Sequence, residues 1–174
     1  MRNLPLKSLI IVCSLLLVGT EATATQRQSS DLPNFGTVAP GFYRGAAPTE
    51  NGLKQLKAMG VKTVIDLRIA PHLVQAEKLE AERLGLRFVN LPMGAEPPTK
   101  REVATFLQIA NLAGTSPVYV HCQHGADRTG TMVGIYREVH DHWNFPQAYA
   151  EMRHYGFNPR WTKLRASVEE RAPK

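Results

Sequence analysis

Short β-branched and aromatic runs alternate with amphipathic stretches along most of this chain. Thr49 stands ahead of Leu53, Leu56 and Met59, which share one helical face, and Gly60 ends the pattern. Residues 62–67 read as a strand. Leu73, Ala76, Leu79 and Leu84 predict a second helix closed by Gly85, and 86–90 the next strand. Thr99 and Glu102 have capping-box spacing before a helix carrying Val103, Phe106, Leu107 and Ala110, which Gly114 ends. Val118-Tyr119-Val120 reads as a buried strand, and Met132, Ile135, Tyr136 and Val139 as the apolar positions of a helix soon after it. Further helices are expected near 146–155 and 160–171.

Strands alternating with helices at this spacing predict an α/β fold. It should be a single domain with a mostly parallel central sheet flanked by helices. Such folds place ligands at the C-terminal ends of their strands. No internal repeat or low-complexity segment interrupts the pattern.

The first residues have a different character. Arg2 and Lys7 precede an apolar stretch, 8–18, that is too short to span a bilayer, and Ala22-Thr23-Ala24 fits a signal-peptidase site. Residues 1–24 are therefore expected to be a signal peptide, 25–34 a flexible polar lead-in, and 35–174 the folded domain. The mature protein would be periplasmic or secreted, with no stable membrane insertion after cleavage. Val12 before Cys13 argues against lipid attachment. Cleavage would leave Cys122 as the sole cysteine, so no internal disulfide is possible, and reactivity best explains a lone exported thiol. Losing Arg2, Lys7 and Glu21 takes the formal charge from +6 to about +5. That suits anionic substrates, while no base-recognition motif for nucleic acid is present.

The chemistry concentrates in His121-Cys122-Gln123-His124-Gly125-Ala126-Asp127-Arg128-Thr129-Gly130. This segment joins a strand to a helix, so residues 123–128 can wrap a phosphate with backbone N–H groups and the helix N-terminus. Loop amides and an adjacent cation lower a thiol's pKa, and the thiolate is the nucleophile. Arg128 can grip two phosphoryl oxygens at once. Thr129 can donate its hydroxyl to the sulfur and help the thiolate leave. His121 is expected to orient the loop through backbone hydrogen bonds rather than to act as a base. His124, in the variable part of the loop, is expected to touch substrate or solvent. A metal on His121, Cys122 and His124 would quench the nucleophile, and no metal or other cofactor is expected.

His-Cys-x-x-Gly-x-x-Arg-Thr-Gly resembles the phosphate loop of the dual-specificity branch of the protein tyrosine phosphatase superfamily. Tyr43-Arg44-Gly45-Ala46-Ala47-Pro48, the strand ending in Asp66-Leu67-Arg68, Tyr136-Arg137, and Glu151-Met152 through Tyr155-Gly156-Phe157 extend the likeness over about residues 35–160. Exported bacterial tyrosine phosphatases are the nearest type. The resemblance implies a protein tyrosine phosphatase-like fold, a phosphocysteine intermediate and no metal. It also implies a general acid on a loop ahead of the phosphate loop, ordinarily an aspartate. The matching stretch here, 91–98, holds Glu96 as its only carboxylate, so Glu96 is one candidate. Asp127, directly before Arg128 as in some lipid phosphatases of the superfamily, is the other. The expected activity is hydrolysis of phosphotyrosine, extending to phosphoserine and phosphothreonine. The alternatives are a phosphoinositide or small phosphate-ester phosphatase, and a catalytically weak phospho-binding module.

Overall fold

In a computed structural model, residues 31–171 are described. The proposed signal peptide, Cys13 and most of the lead-in lie outside them.

Among the described residues eleven elements follow in order: β1 (Gly36–Ala39), β2 (Phe42–Ala46), α1 (Glu50–Ala58), β3 (Thr63–Asp66), α2 (Pro71–Arg83), β4 (Arg87–Asn90), α3 (Lys100–Ala110), β5 (Val118–Cys122), α4 (Asp127–Val139), α5 (Phe145–His154) and α6 (Thr162–Glu169). One five-stranded sheet has the order β1-β2-β5-β3-β4. Only the β1–β2 pair is antiparallel. The mostly parallel α/β architecture is the one expected. The predicted caps are present: Gly52 N–H donates to Thr49 Oγ1, and Thr99 and Glu102 close a reciprocal capping box.

Every residue of β5 is buried, so its period of two sorts side chains between two cores rather than between core and water. Val118, Val120 and Cys122 join Phe42, Ile65, Phe106 and Met132 on one face. Tyr119 joins Leu53, Leu56, Val64 and Ala81 on the other, and His121 shares its side of the strand. At about 1.5–3 kcal/mol per buried large apolar side chain, both layers matter to stability. Cys122 thus faces the α4 side and its preceding histidine the α2 side. Arg137 on α4 donates to both carboxylate oxygens of Glu151 on α5, which ties the C-terminal helices together.

Three expectations need correction. The lead-in was expected to run flexibly to residue 34, but 31–34 is packed against the domain. Leu32 is buried, the Pro33 carbonyl accepts from Ala46 N–H, and Asn34 donates to two loop carbonyls. Few apolar residues mark this turn, and its partners are far away in sequence. The apolar face expected of α2 is also largely inverted. Leu73 and Leu79 are exposed, while Glu77 and Ala81 are buried. A buried guanidinium and imidazole draw Glu77 inward. Met59 likewise lies exposed rather than in the core.

Candidate active site

Residues 122–128 run from the C-terminal end of β5 into the first turn of α4. The loop's own carbonyls explain its shape. The carbonyl of Cys122 lies 3.2 Å from His121 Nδ1, and that of Gln123 accepts from Ala47 N–H at 3.4 Å. The carbonyl of His124 accepts from Asn34 Nδ2 at 3.0 Å, and that of Gly125 from Arg44 Nη2 at 3.0 Å. Four successive acceptors are thus drawn to partners around the loop. The amides then line its inside, which is the nest an oxyanion needs. Nothing caps the N-terminus of α4 through a side chain, so its first N–H groups are also free to serve an anion.

Gly125 makes this path possible. Its φ is +69°, and a Cβ there would stand 2.4 Å from the Gly45 carbonyl carbon. We expect Gly125→Ala to cost at least about 2 kcal/mol, from the left-handed backbone plus the collision with β2. Thermal unfolding checks this, and an unchanged midpoint would contradict it.

The sulfur sits low in the nest. Cys122 is 2 % exposed. Burial pushes its thiol up, but the hydroxyl and backbone N–H of Thr129, the charge of Arg128 and the N–H of His124 outweigh that, and the net shift is downward. Thr129 Oγ1 also donates to the Gly45 carbonyl at 3.5 Å, the limit of a hydrogen bond. Gln123 and His124 are exposed at the rim, Gly125 and Ala126 are buried in the wall, and Arg128 is half-buried. Among the described residues no carboxylate pairs with Arg128, so its guanidinium is available for substrate oxygens.

A cavity of about 330 Å³ opens above the loop. His124, Asp127 and Arg128 form its polar end, and Ile69, Met93, Trp161 and Leu164 its apolar walls. The two acid candidates are placed differently. Asp127 lines this cavity, with one carboxylate oxygen accepting from Asn158 N–H at 2.8 Å. Glu96 is not part of the lining, although Gly94 and Ala95 are. Its exposed carboxylate accepts from Lys163 Nζ at 2.6 Å.

Sequence reading quoted Arg44, Asp66 and Arg68 for the family likeness but gave neither them nor Glu77 a part in supporting the loop from below. Arg44 is fully buried in β2, with its guanidinium carbon 3.9 Å from the Tyr155 ring centroid. Burial lowers its pKa to about 10, which leaves it charged at neutral pH. On the α2 side, Arg68 bridges Asp66 and Glu77 at 2.8 and 2.6 Å, and Glu77 reaches His121. Beyond the family likeness, a charged residue inside an otherwise apolar strand was the signal available for Arg44. Glu77 offered none, because helical spacing pointed to the opposite face.

Comparisons with known proteins agree with this geometry. A family model described as a DSP-PTPase phosphatase fused to NAD+ kinase matches residues 22–170. The dual specificity protein phosphatase TpbA of Pseudomonas aeruginosa is 30% identical over 125 residues, covering 71% of this chain and 55% of that protein. A tyrosine-protein phosphatase named OCA1 from Mycosarcoma maydis is 30% identical over 131 residues, 71% of this chain and 80% of its own. This chain therefore spans about half the length of the TpbA proteins it matches. The crystal structure of P. aeruginosa TpbA superposes with a TM-score of 0.68 at 26% identity, covering 83% of this chain and 92% of that one. A cysteine-to-serine form of TpbA in complex with phosphotyrosine superposes with a TM-score of 0.67.

Proposed function

Because the chain belongs to the dual-specificity phosphatase family of the protein tyrosine phosphatase superfamily, we propose that it hydrolyses phosphotyrosine through a phosphocysteine intermediate. One observation carries the reading. A thiol lowered by amides and a hydroxyl lies in one loop with Arg128, which has no carboxylate partner among the described residues, and His124, Asp127 and Arg128 of that loop line a cavity with apolar walls. A phosphate fits the nest, and a phenyl ring fits against Ile69, Met93, Trp161 and Leu164. The phosphotyrosine complex of the TpbA variant supports the same substrate.

The Cys122 thiolate attacks phosphorus, a P–S bond forms, and the P–O bond to the phenol breaks. Charge spreading over the three equatorial oxygens meets the loop amides and Arg128, which bind best at that moment. Asp127 delivers a proton to the leaving oxygen. Water then attacks phosphorus and gives its proton to the Asp127 carboxylate. The P–S bond breaks, and the Thr129 hydroxyl donates to the departing thiolate. Asp127 is preferred to Glu96 for this role because it alone of the two lines the cavity. The phosphate-binding loop would work on phosphoserine and phosphothreonine as well, with fewer contacts to the walls. Residues 1–24 favour an exported enzyme on pattern alone, and among the described residues no helix is long and apolar enough to cross a membrane.

The test compares substrates and acids together. Asp127→Asn should slow hydrolysis of a phosphotyrosine peptide by roughly 10²-fold or more, the usual worth of a positioned acid. It should slow a nitrophenyl ester much less, since that leaving group departs unprotonated. Glu96→Gln should do little to either. The opposite ranking would return the role to Glu96. Preference for an inositol lipid over the peptide would overturn the substrate.

A further inference from the structure

Behind the loop, on the sheet face opposite Cys122, lies a closed group of charges. Asp66 at the end of β3 is fully buried, as is His121, while Arg68 and Glu77 are 6 % and 9 % exposed. Arg68 Nε lies 3.0 and 3.1 Å from the two Asp66 oxygens, and its Nη2 lies 2.6 Å from Glu77 Oε2. Glu77 Oε1 is 2.8 Å from His121 Nε2. The angle of that close contact falls outside that of a directed hydrogen bond. His121 Nδ1 faces the Cys122 carbonyl at 3.2 Å and Asp66 Oδ1 at 4.0 Å, and the ring stacks on Tyr119 at 5.6 Å.

Both ring nitrogens of His121 therefore face oxygen acceptors. A neutral imidazole has one N–H and would turn a lone pair toward one of them. With an imidazolium, the group holds two carboxylates against two cations. With a neutral ring it would carry an uncompensated negative charge in the interior, behind a second anion, the thiolate. We propose that Glu77 is a positioning residue, which holds His121 doubly protonated so that its Nδ1–H anchors the Cys122 carbonyl and its charge supports the thiolate. Burial works against the charged ring, but the charge and contact of Glu77, followed by Asp66, outweigh it, and the His121 pKa is raised. The groups facing the ring are Asp66 and Arg68 from the β3 end, Glu77 from α2, and Tyr119 and Cys122 from β5.

This inference rests on the phosphocysteine reading for its importance, but its test needs no turnover. Alkylation of Cys122 by iodoacetamide, followed on the Cys122 peptide across pH, reports the thiolate directly. In Glu77→Gln the ring loses its counter-charge and neutralises, so the thiolate midpoint should rise by about one pH unit. Alkylation below the midpoint should then slow by roughly tenfold. Glu77→Asp, which keeps the carboxylate, should restore part of the shift. The sign discriminates between mechanisms. If Glu77 acted on the sulfur only through its own negative charge, removing it would move the midpoint down. An unchanged or lowered midpoint overturns the proposal. Nitrogen NMR of the His121 ring in the unmutated protein gives a second test, should the variant not fold. A doubly protonated ring through neutral pH supports the proposal, and a single neutral tautomer overturns it. A raised midpoint in a protein that hydrolyses no phosphate ester would sustain this inference and sink the proposed function instead.

Discussion

Cys122→Ser is expected to remove turnover almost completely, by something on the order of 10⁵-fold or more, the scale at which other enzymes lose activity with their nucleophile. The reason lies in how the loop treats the atom at position 122. Burial alone would keep a thiol protonated, yet the hydrogen bonds of Thr129, the charge of Arg128 and the amide of His124 lower it. A serine hydroxyl has a far higher pKa than a thiol, and the same groups cannot bring it into the working range. The nest itself does not depend on the sulfur, because its carbonyls are held by Ala47, Asn34 and Arg44. The variant should therefore still bind vanadate or a phosphotyrosine peptide. Steady-state kinetics and a binding titration read the two halves separately. Appreciable residual hydrolysis would rule out a covalent phosphocysteine. Lost binding would show that the sulfur helps to build the nest.

Arg128→Lys should be the second largest loss, on the order of 10³-fold in kcat/KM, comparable with removing a transition-state donor or an arginine finger. The substitution keeps the charge and so isolates geometry. A guanidinium offers paired donors in a fixed plane, whereas an ammonium is a point charge on a flexible stem. Arg128 has no carboxylate partner among the described residues, and its nearest established electrostatic relation is with Cys122. In the proposed mechanism its fork is therefore free to hold the oxygens of the transferring group. Because those oxygens gain their planar spread in the transition state, the loss should fall more on kcat than on KM. A loss confined to KM would mean that Arg128 only attracts substrate.

Cys122, Arg128, Thr129 and the loop between them were legible in one stretch of ten residues, because the chemistry is local and the flanking strand and helix have clear periodicities. The caps at Thr49 and Thr99 were equally plain, since each is satisfied within a single turn. So was the α/β class, from the alternation of elements. The short strands β1 and β2 were not read, since Gly36–Ala39 and Phe42–Ala46 carry little apolar periodicity and are defined by their neighbours. The choice between Glu96 and Asp127 could not be made in sequence either. It depends on which carboxylate the fold turns toward the cavity.

Residue order alone determined the candidate phosphate loop, its attachment to a strand and a helix, and the layered architecture around it. Each of these depends on backbone preferences and on contacts a few positions apart. Only the tertiary structure decided what holds the loop open. Asn34, Arg44 and Ala47 reach its carbonyls from the N-terminal part of the chain, and Asp66, Arg68 and Glu77 gather around His121 from β3 and α2. The loop's partners and the Glu77–His121 contact join residues tens of positions apart, and the burial of a charge is set by what it meets there. A polar side chain that reads as solvent-facing on its own helix becomes interior once an opposite charge is waiting across the sheet.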